Sequence, residues 1–169
     1  MSGEKENILV SACLLGVNCR YDGGSGERKE VLELMKEYNF IPVCPEQLGG
    51  MKTPREPSEI THGNGESVRV MNRLGQDVTD YFKQGAQEVL RLGKLFGCRK
   101  AILKERSPSC GHGIIYDGTF SGNTAAGSGV TAMLLEKNGI TVTGESDLSA
   151  LSGEMRKHPD GVLKGEKQK

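Results

Sequence analysis

Four short apolar runs constrain the fold of this chain more than any other feature. They are Ile8-Leu-Val-Ser-Ala12, Phe40-Ile-Pro-Val43, Lys100-Ala-Ile-Leu103 and Ile140-Thr-Val-Thr143. Each has the length of one strand buried on both faces. Pro42 puts the second at a sheet edge or strand end, because proline donates no ladder hydrogen bond. Helical patterns lie between the runs. Arg28 to Tyr38 carries a stripe at Val31, Leu32, Leu34 and Met35, and Gln76 to Phe96 carries a longer one through Phe82, Ala86, Val89 and Leu90. Asp77 or Thr79 is the N-cap candidate of the longer helix and Gly97 its stop. Val130 to Lys137 and Leu148 to Arg156 read as two further helices. This alternation is the βαβ signature. The expectation is a single α/β domain over residues 1–169, a mostly parallel sheet flanked by helices in a Rossmann-like three-layer arrangement. Its core is expected over about 7–156, with 164–169 a flexible tail.

Glycine supplies 24 of the 169 residues, roughly twice the average share. Much of it falls in two stretches that read as loops, Cys44 to Gly65 and residues 105–129, with Ser67 to Met71 a peripheral strand between them. Structureless loops of that length in a compact domain are usually functional, and both are expected to leave the carboxyl edge of the sheet. In open α/β sheets that edge is where ligands bind.

The charge balance removes several function classes. Twenty-two basic residues cancel 22 acidic ones, so no bulk drive toward nucleic acid or an anionic membrane exists, though a local basic pocket is allowed. Aromatics are 5% with no Trp, too few for a single-strand stacking platform. No apolar run reaches the roughly 20 residues of a membrane span. The start, Met1-Ser-Gly-Glu-Lys-Glu-Asn7, lacks the apolar segment of a secretory signal, and the expected compartment is the cytoplasm.

Thiols are kept reduced there, so five widely spaced cysteines do not read as a disulfide framework. Cys13 follows the first strand run, Cys44 follows the second, and Cys110 lies one loop beyond the third. Cys98, at the end of the long helix, reads as a core residue; Cys19 is ambiguous. No C-x2-4-C pair exists for a structural zinc. A Cys–His nucleophile from Cys110 with His62, His112 or His158 is one alternative, but it leaves two strand-end cysteines unexplained. Three thiolates around an iron–sulfur cluster are the other, and they leave one iron open for Lewis-acid chemistry. His112, between two glycines, is a ligand, a base or a plain polar loop residue. Gly127-Ser-Gly129 before a helix offers backbone N–H groups to an anion.

Three blocks are longer than chance. They are Ser11-Ala-Cys13-Leu-Leu-Gly16 with Cys19-Arg-Tyr-Asp-Gly-Gly24; Val43-Cys44-Pro-Glu46 with Thr53-Pro-Arg55-Glu-Pro57; and Leu103-Lys-Glu-Arg-Ser107-Pro-Ser-Cys110-Gly111. In this order they resemble the thiouracil desulfidase-like family over about residues 7–146. The resemblance implies a [4Fe-4S] cluster held by Cys13, Cys44 and Cys110. It also implies an enzyme, a desulfidase, that replaces the sulfur of a thiolated pyrimidine by oxygen without net redox change. Glu46, two residues beyond a ligand, is then the candidate base or proton shuttle, and Ser109 the second catalytic candidate. Ser107, Arg20, Arg55 and Lys104 are candidates for holding the substrate or offsetting cluster charge. A loop-stabilising role is the alternative for each. The expected partner is a small thiolated base or nucleoside, with no nucleic acid and no membrane. The rival readings are a desulfidase of thiouridine in tRNA, a cluster-binding sensor without catalysis, and a metal-free thiol hydrolase. The physiological substrate, the oligomeric state and the roles of Cys19, His112 and Glu145 stay open at this level.

Overall fold

The computed structural model describes residues 3–63 and 67–151. Four strands form one parallel sheet in the order β2-β1-β5-β8, where β1 is Glu6–Ser11, β2 Tyr38–Val43, β5 Lys100–Leu103 and β8 Thr141–Gly144. The expected α/β architecture is the observed one. Alternation along the central strands explains its layers. Leu9, Ala101 and Leu103 point to one face, under α3 (Thr79–Leu95) and α4 (Val130–Lys137), where Val89, Leu90, Ala132 and Leu135 meet them. Ile8, Val10 and Ile102 point to the other, against Val31 of α1 (Lys29–Glu33) and Leu151. The central strands β1 and β5 are buried on both sides, which is why they read as continuous apolar runs.

The Arg28–Tyr38 segment is less helical than its stripe suggested. α1 ends at Glu33, a 3-10 turn covers Leu34–Lys36, and β2 already begins at Tyr38. Met35 is exposed and Tyr38 buried; pairing of Glu6 with Tyr38 extends the strand at the helix's expense. Pro42 sits on an edge strand, as its chemistry requires. The two loop stretches hold more structure than expected. The first contains α2 (Pro45–Leu48) and β3 (Ser58–His62), and β3 pairs antiparallel with β4 (Arg69–Asn72). The second contains an antiparallel hairpin of β6 (Ile114–Tyr116) and β7 (Thr124–Ala126). The expected helix to Arg156 and the 164–169 tail lie largely outside the described residues.

The chain turns from β1 to β2 on one side and later adds β5 and β8 on the other. The topological switch point therefore lies between β1 and β5. α2, a single turn, is held there by close backbone packing on α3. A Cβ on Gly85 would run into the Pro45 carbonyl, and one on Gly49 into the Tyr81 carbonyl. Gly85→Ala is accordingly expected to cost about 1–3 kcal/mol by overpacking. Urea unfolding would measure it, and a midpoint equal to that of the parent protein would refute the packing argument.

Candidate functional site

A cavity of about 490 Å³ opens at the carboxyl edge of the sheet, within the usual range of small-molecule sites. All nine residues singled out from the sequence line it: Cys13, Arg20, Cys44, Glu46, Arg55, Lys104, Ser107, Ser109 and Cys110. The cysteines and Lys104 come from the segments that follow strand ends, Arg20 and Arg55 from the loops beyond. Cys13 lies in the 3-10 turn after β1, Cys44 is the N-cap of α2 directly after β2, and Lys104 follows β5. Cys110 sits in a turn clamped to the start of α4. Val130 N–H donates to Pro108 O and Thr131 N–H to Ser109 O, both at 2.9 Å. Gly129 permits this approach, since a Cβ there would collide with the Ser109 carbonyl. These bonds correct the anion-site reading of Gly127-Ser-Gly129: the first N–H groups of α4 are filled by the cysteine turn.

Cys19 joins the cavity wall. Its thiol is influenced by those of Cys13 and Cys44. The neighbouring Cys13 and burial push it up to about 11, against a lowering by Cys44. The Cys44 thiol donates to the Cys19 carbonyl at 3.7 Å, and Cys19 together with burial raises it well above the ordinary thiol range. Burial pushes the Cys110 thiol up to about 12, although the Ser11 and Ser109 hydroxyls donate to its sulfur at 3.3 and 3.7 Å. Cys98 packs with Leu9, Ala101 and Ile140 in the core, outside the cavity.

The donor chemistry discriminates among metals. Among the described residues, no three His, Cys, Asp or Glu side chains converge tightly enough to chelate one ion. The thiols ring a cavity instead, which suits a multi-iron group and not a single zinc. Hydroxyls aimed at the Cys110 sulfur are the outer-shell bonds that tune such groups. No histidine among the described residues lines the cavity. His62 bonds Thr61, and His112 lies 3.3 Å from Glu136 on the surface; His158 lies outside the described residues.

Two ion pairs order the polar wall. Glu46 Oε2 accepts from Arg55 Nε at 2.6 Å, with side-chain exposures of only 14% and 7%. Arg55 also donates to Lys52 O, Thr53 Oγ1 and Cys19 O. Four of its five N–H donors are thus occupied, and Arg55 is built to hold Glu46 more than to hold a ligand. Glu46 Oε1 accepts from Ser109 Oγ at 3.0 Å. Ser107 Oγ accepts from the backbone N–H of Ser109 and Cys110, so it shapes the turn. Lys104 Nζ donates to Glu145 Oε1 at 2.6 Å, and Glu145 Oε2 accepts Glu105 N–H at 2.7 Å. Arg20 pairs with Asp22 at 3.3 Å at the exposed side. The sequence signal for Ser11 was its place in the Ser-Ala-Cys block. Glu145 had only its strand-end position, and Phe120, Tyr116 and Glu59 had none.

Removing one partner of a buried pair leaves the other charge uncompensated. Arg55→Met should therefore destabilise the apoprotein by about 3 kcal/mol, with Arg55→Lys between it and the parent because a point charge cannot reproduce the fork. Adding Glu46→Gln to Arg55→Met should recover part of the loss. Chemical denaturation of the single and double variants measures all three, and an additive double variant would contradict the pairing.

The comparisons with known proteins agree with this geometry. The family model described as 2-thiouracil desulfurase matches residues 8–147. An uncharacterized protein of Bacillus subtilis (strain 168), YbbK, is 46% identical over 147 residues, covering 84% of this chain and 97% of that protein. A solved structure of TudS, described as a [4Fe-4S]-dependent thiouracil desulfidase, superposes with a TM-score of 0.81 at 44% identity, covering 91% of this chain and all of that one. Match, identity and shared fold together place this chain in the 2-thiouracil desulfurase family.

Proposed function

We propose that this protein is an enzyme that replaces the sulfur of a thiolated pyrimidine by the oxygen of water, using a [4Fe-4S] cluster held by Cys13, Cys44 and Cys110. The observation that carries the reading is one cavity in which thiols from three strand ends face a carboxylate, Glu46, anchored by Arg55 and bonded to Ser109. The family match and the [4Fe-4S] dependence of TudS support the cluster and the substrate class. When bound, the cluster supplies an iron with no protein ligand, a soft Lewis acid matched to a thiocarbonyl sulfur. Glu46 takes a proton from the water that adds to the C=S carbon. Arg55 fixes the far oxygen of that carboxylate, so Oε1 keeps its aim. The Ser109 hydroxyl sits between Glu46 and Cys110 and carries a proton toward the departing sulfur. Lys104, oriented by Glu145, donates to a substrate oxygen. A C–O bond replaces a C–S bond, sulfur leaves as hydrosulfide, and no electron changes hands.

No helix among the described residues is long and apolar enough to cross a membrane. Abundant buried thiols suit a reducing cytoplasm. The substrate is a small molecule. One observation favours a second reading of its size: exposed Arg28, Arg73 and Arg106 line the open side of the cavity with Tyr21. A thiopyrimidine carrying a ribose phosphate would meet cations there.

Anaerobic reconstitution with iron and sulfide, followed by incubation with 2-thiouracil, should yield uracil and sulfide in equal amounts. A loaded protein that forms neither overturns the reading. Cys44→Ser should fail to assemble the cluster, while Cys19→Ser should keep iron, sulfide and turnover. Glu46→Gln should keep the cluster and lose roughly 10²-fold in kcat. A fully active Glu46→Gln would move the base elsewhere. Thiolate ligands must shed protons, and the Cys44 and Cys110 thiols are both raised above the ordinary thiol value. Protons therefore compete with iron, and assembly at limiting iron should improve from pH 7 to pH 9, read by visible absorbance. An assembly yield independent of pH would contradict the protonated apo state.

A further inference from the structure

The β6–β7 hairpin tip is built at a cost that the reaction as described does not use. Phe120 has φ +57, a left-handed conformation that a bulky residue rarely adopts and that persists only when its surroundings enforce it. Those surroundings are specific. Glu59 of β3 is buried, and its Oε2 accepts the backbone N–H of Gly118 at 2.9 Å and of Phe120 at 3.0 Å. A buried carboxylate is costly unless so satisfied. Gly118 lies so close to β3 that a Cβ would press on the Ile60 carbonyl. Asp117 closes the tip by accepting from the Thr119 N–H and hydroxyl. The half-buried Phe120 thereby lines the same cavity as the thiols and Glu46. The other aromatic side chains there are committed. Tyr21 is 42% exposed with the Arg20 guanidinium over its ring at 5.7 Å, and Tyr116 belongs to a paired strand.

The geometry points to Phe120 as the aromatic wall against which the pyrimidine ring packs, and to Glu59 as the positioning residue that holds it there. This rests on the proposed thiopyrimidine reading and adds to it the residue that selects a planar ring. A flat heteroaromatic ring gains from an aromatic face whatever its substituents. The wall fixes ring orientation without touching the reacting atoms, so its loss weakens binding more than chemistry.

The test uses reconstituted holoenzyme and two readouts: turnover of 2-thiouracil, and calorimetric binding of uracil, the oxo product. Phe120→Ala should raise KM and the uracil Kd by roughly tenfold, with kcat within about twofold and iron content unchanged; Phe120→Tyr should restore both constants. Glu59→Gln should raise KM in the same direction, and its effect should vanish in the Phe120→Ala background. A Glu59 effect that adds to that of Phe120→Ala would make Glu59 merely structural and overturn its role. If Glu59→Gln does not fold, Glu59→Asp, which keeps the charge but shortens its reach, decides the same point. Wild-type turnover with unchanged constants in Phe120→Ala overturns the wall and leaves the desulfidase reading standing. No turnover, but uracil binding that Phe120→Ala weakens, overturns that reading and keeps the wall. Neither turnover nor binding overturns both.

Discussion

Everything at the site depends on β1 lying between β2 and β5, parallel to both. Parallel pairing makes three strands end at one edge, so residues about thirty and then sixty positions apart are delivered to one cavity without a long unsupported loop. Pairing of Ser11 with Val43 sets β1 and β2 to end together, which fixes Cys13 beside Cys44. Ser11 Oγ, one residue inside that edge, accepts the Lys104 N–H and donates to the Cys110 sulfur. A single hydroxyl thus ties the ends of β1 and β5 to the third thiol. A slip of one residue in the β1 register would reverse which side chains face α3. The apolar pattern of Leu9 against Ile8 and Val10 therefore protects the geometry of the thiols.

The charged residues at this edge are not there for stability. Replacing a buried ion pair by packed apolar side chains is often neutral or favourable, so Glu46–Arg55 and Lys104–Glu145 are poor ways to stabilise a fold. They are good ways to hold a carboxylate and an ammonium in one orientation. Arg55 reaches Glu46, the Cys19 carbonyl and the Thr53 hydroxyl at once. It thereby links α2, the segment after the β1 turn and its own loop into one wall.

The sheet was legible because both-face burial writes itself as apolar runs, and β5 and α4 fall where the pattern put them. The strand ends, and hence the cysteines that follow them, were legible with it. Of the two small antiparallel pairs only β4 was, as the peripheral strand expected over Ser67 to Met71. β7 is Thr-Ala-Ala with all three residues exposed, so no alternation marks it, and β6 has three residues. Backbone packing between α2 and α3 was also invisible, because Gly49 and Gly85 look like any other glycine until something is seen to touch them. The proton-handling wall was half legible. Glu46 and Ser109 stand beside Cys44 and Cys110 in sequence, while Glu145 and Phe120 come from elements whose approach only tertiary structure sets.

Bulk neutrality conceals a local separation of charge. Arg20, Arg28, Arg55, Arg73, Lys104 and Arg106 line the cavity against Glu46, Glu59, Glu105 and Glu145. The chain as a whole is balanced, so the rest of it carries a small acidic excess. An anionic group is therefore favoured inside this cavity. A cluster held by the cavity thiols would add negative charge there, which the basic lining would offset. The distribution that would suit an anionic cluster equally suits a small substrate that carries negative charge into the cavity.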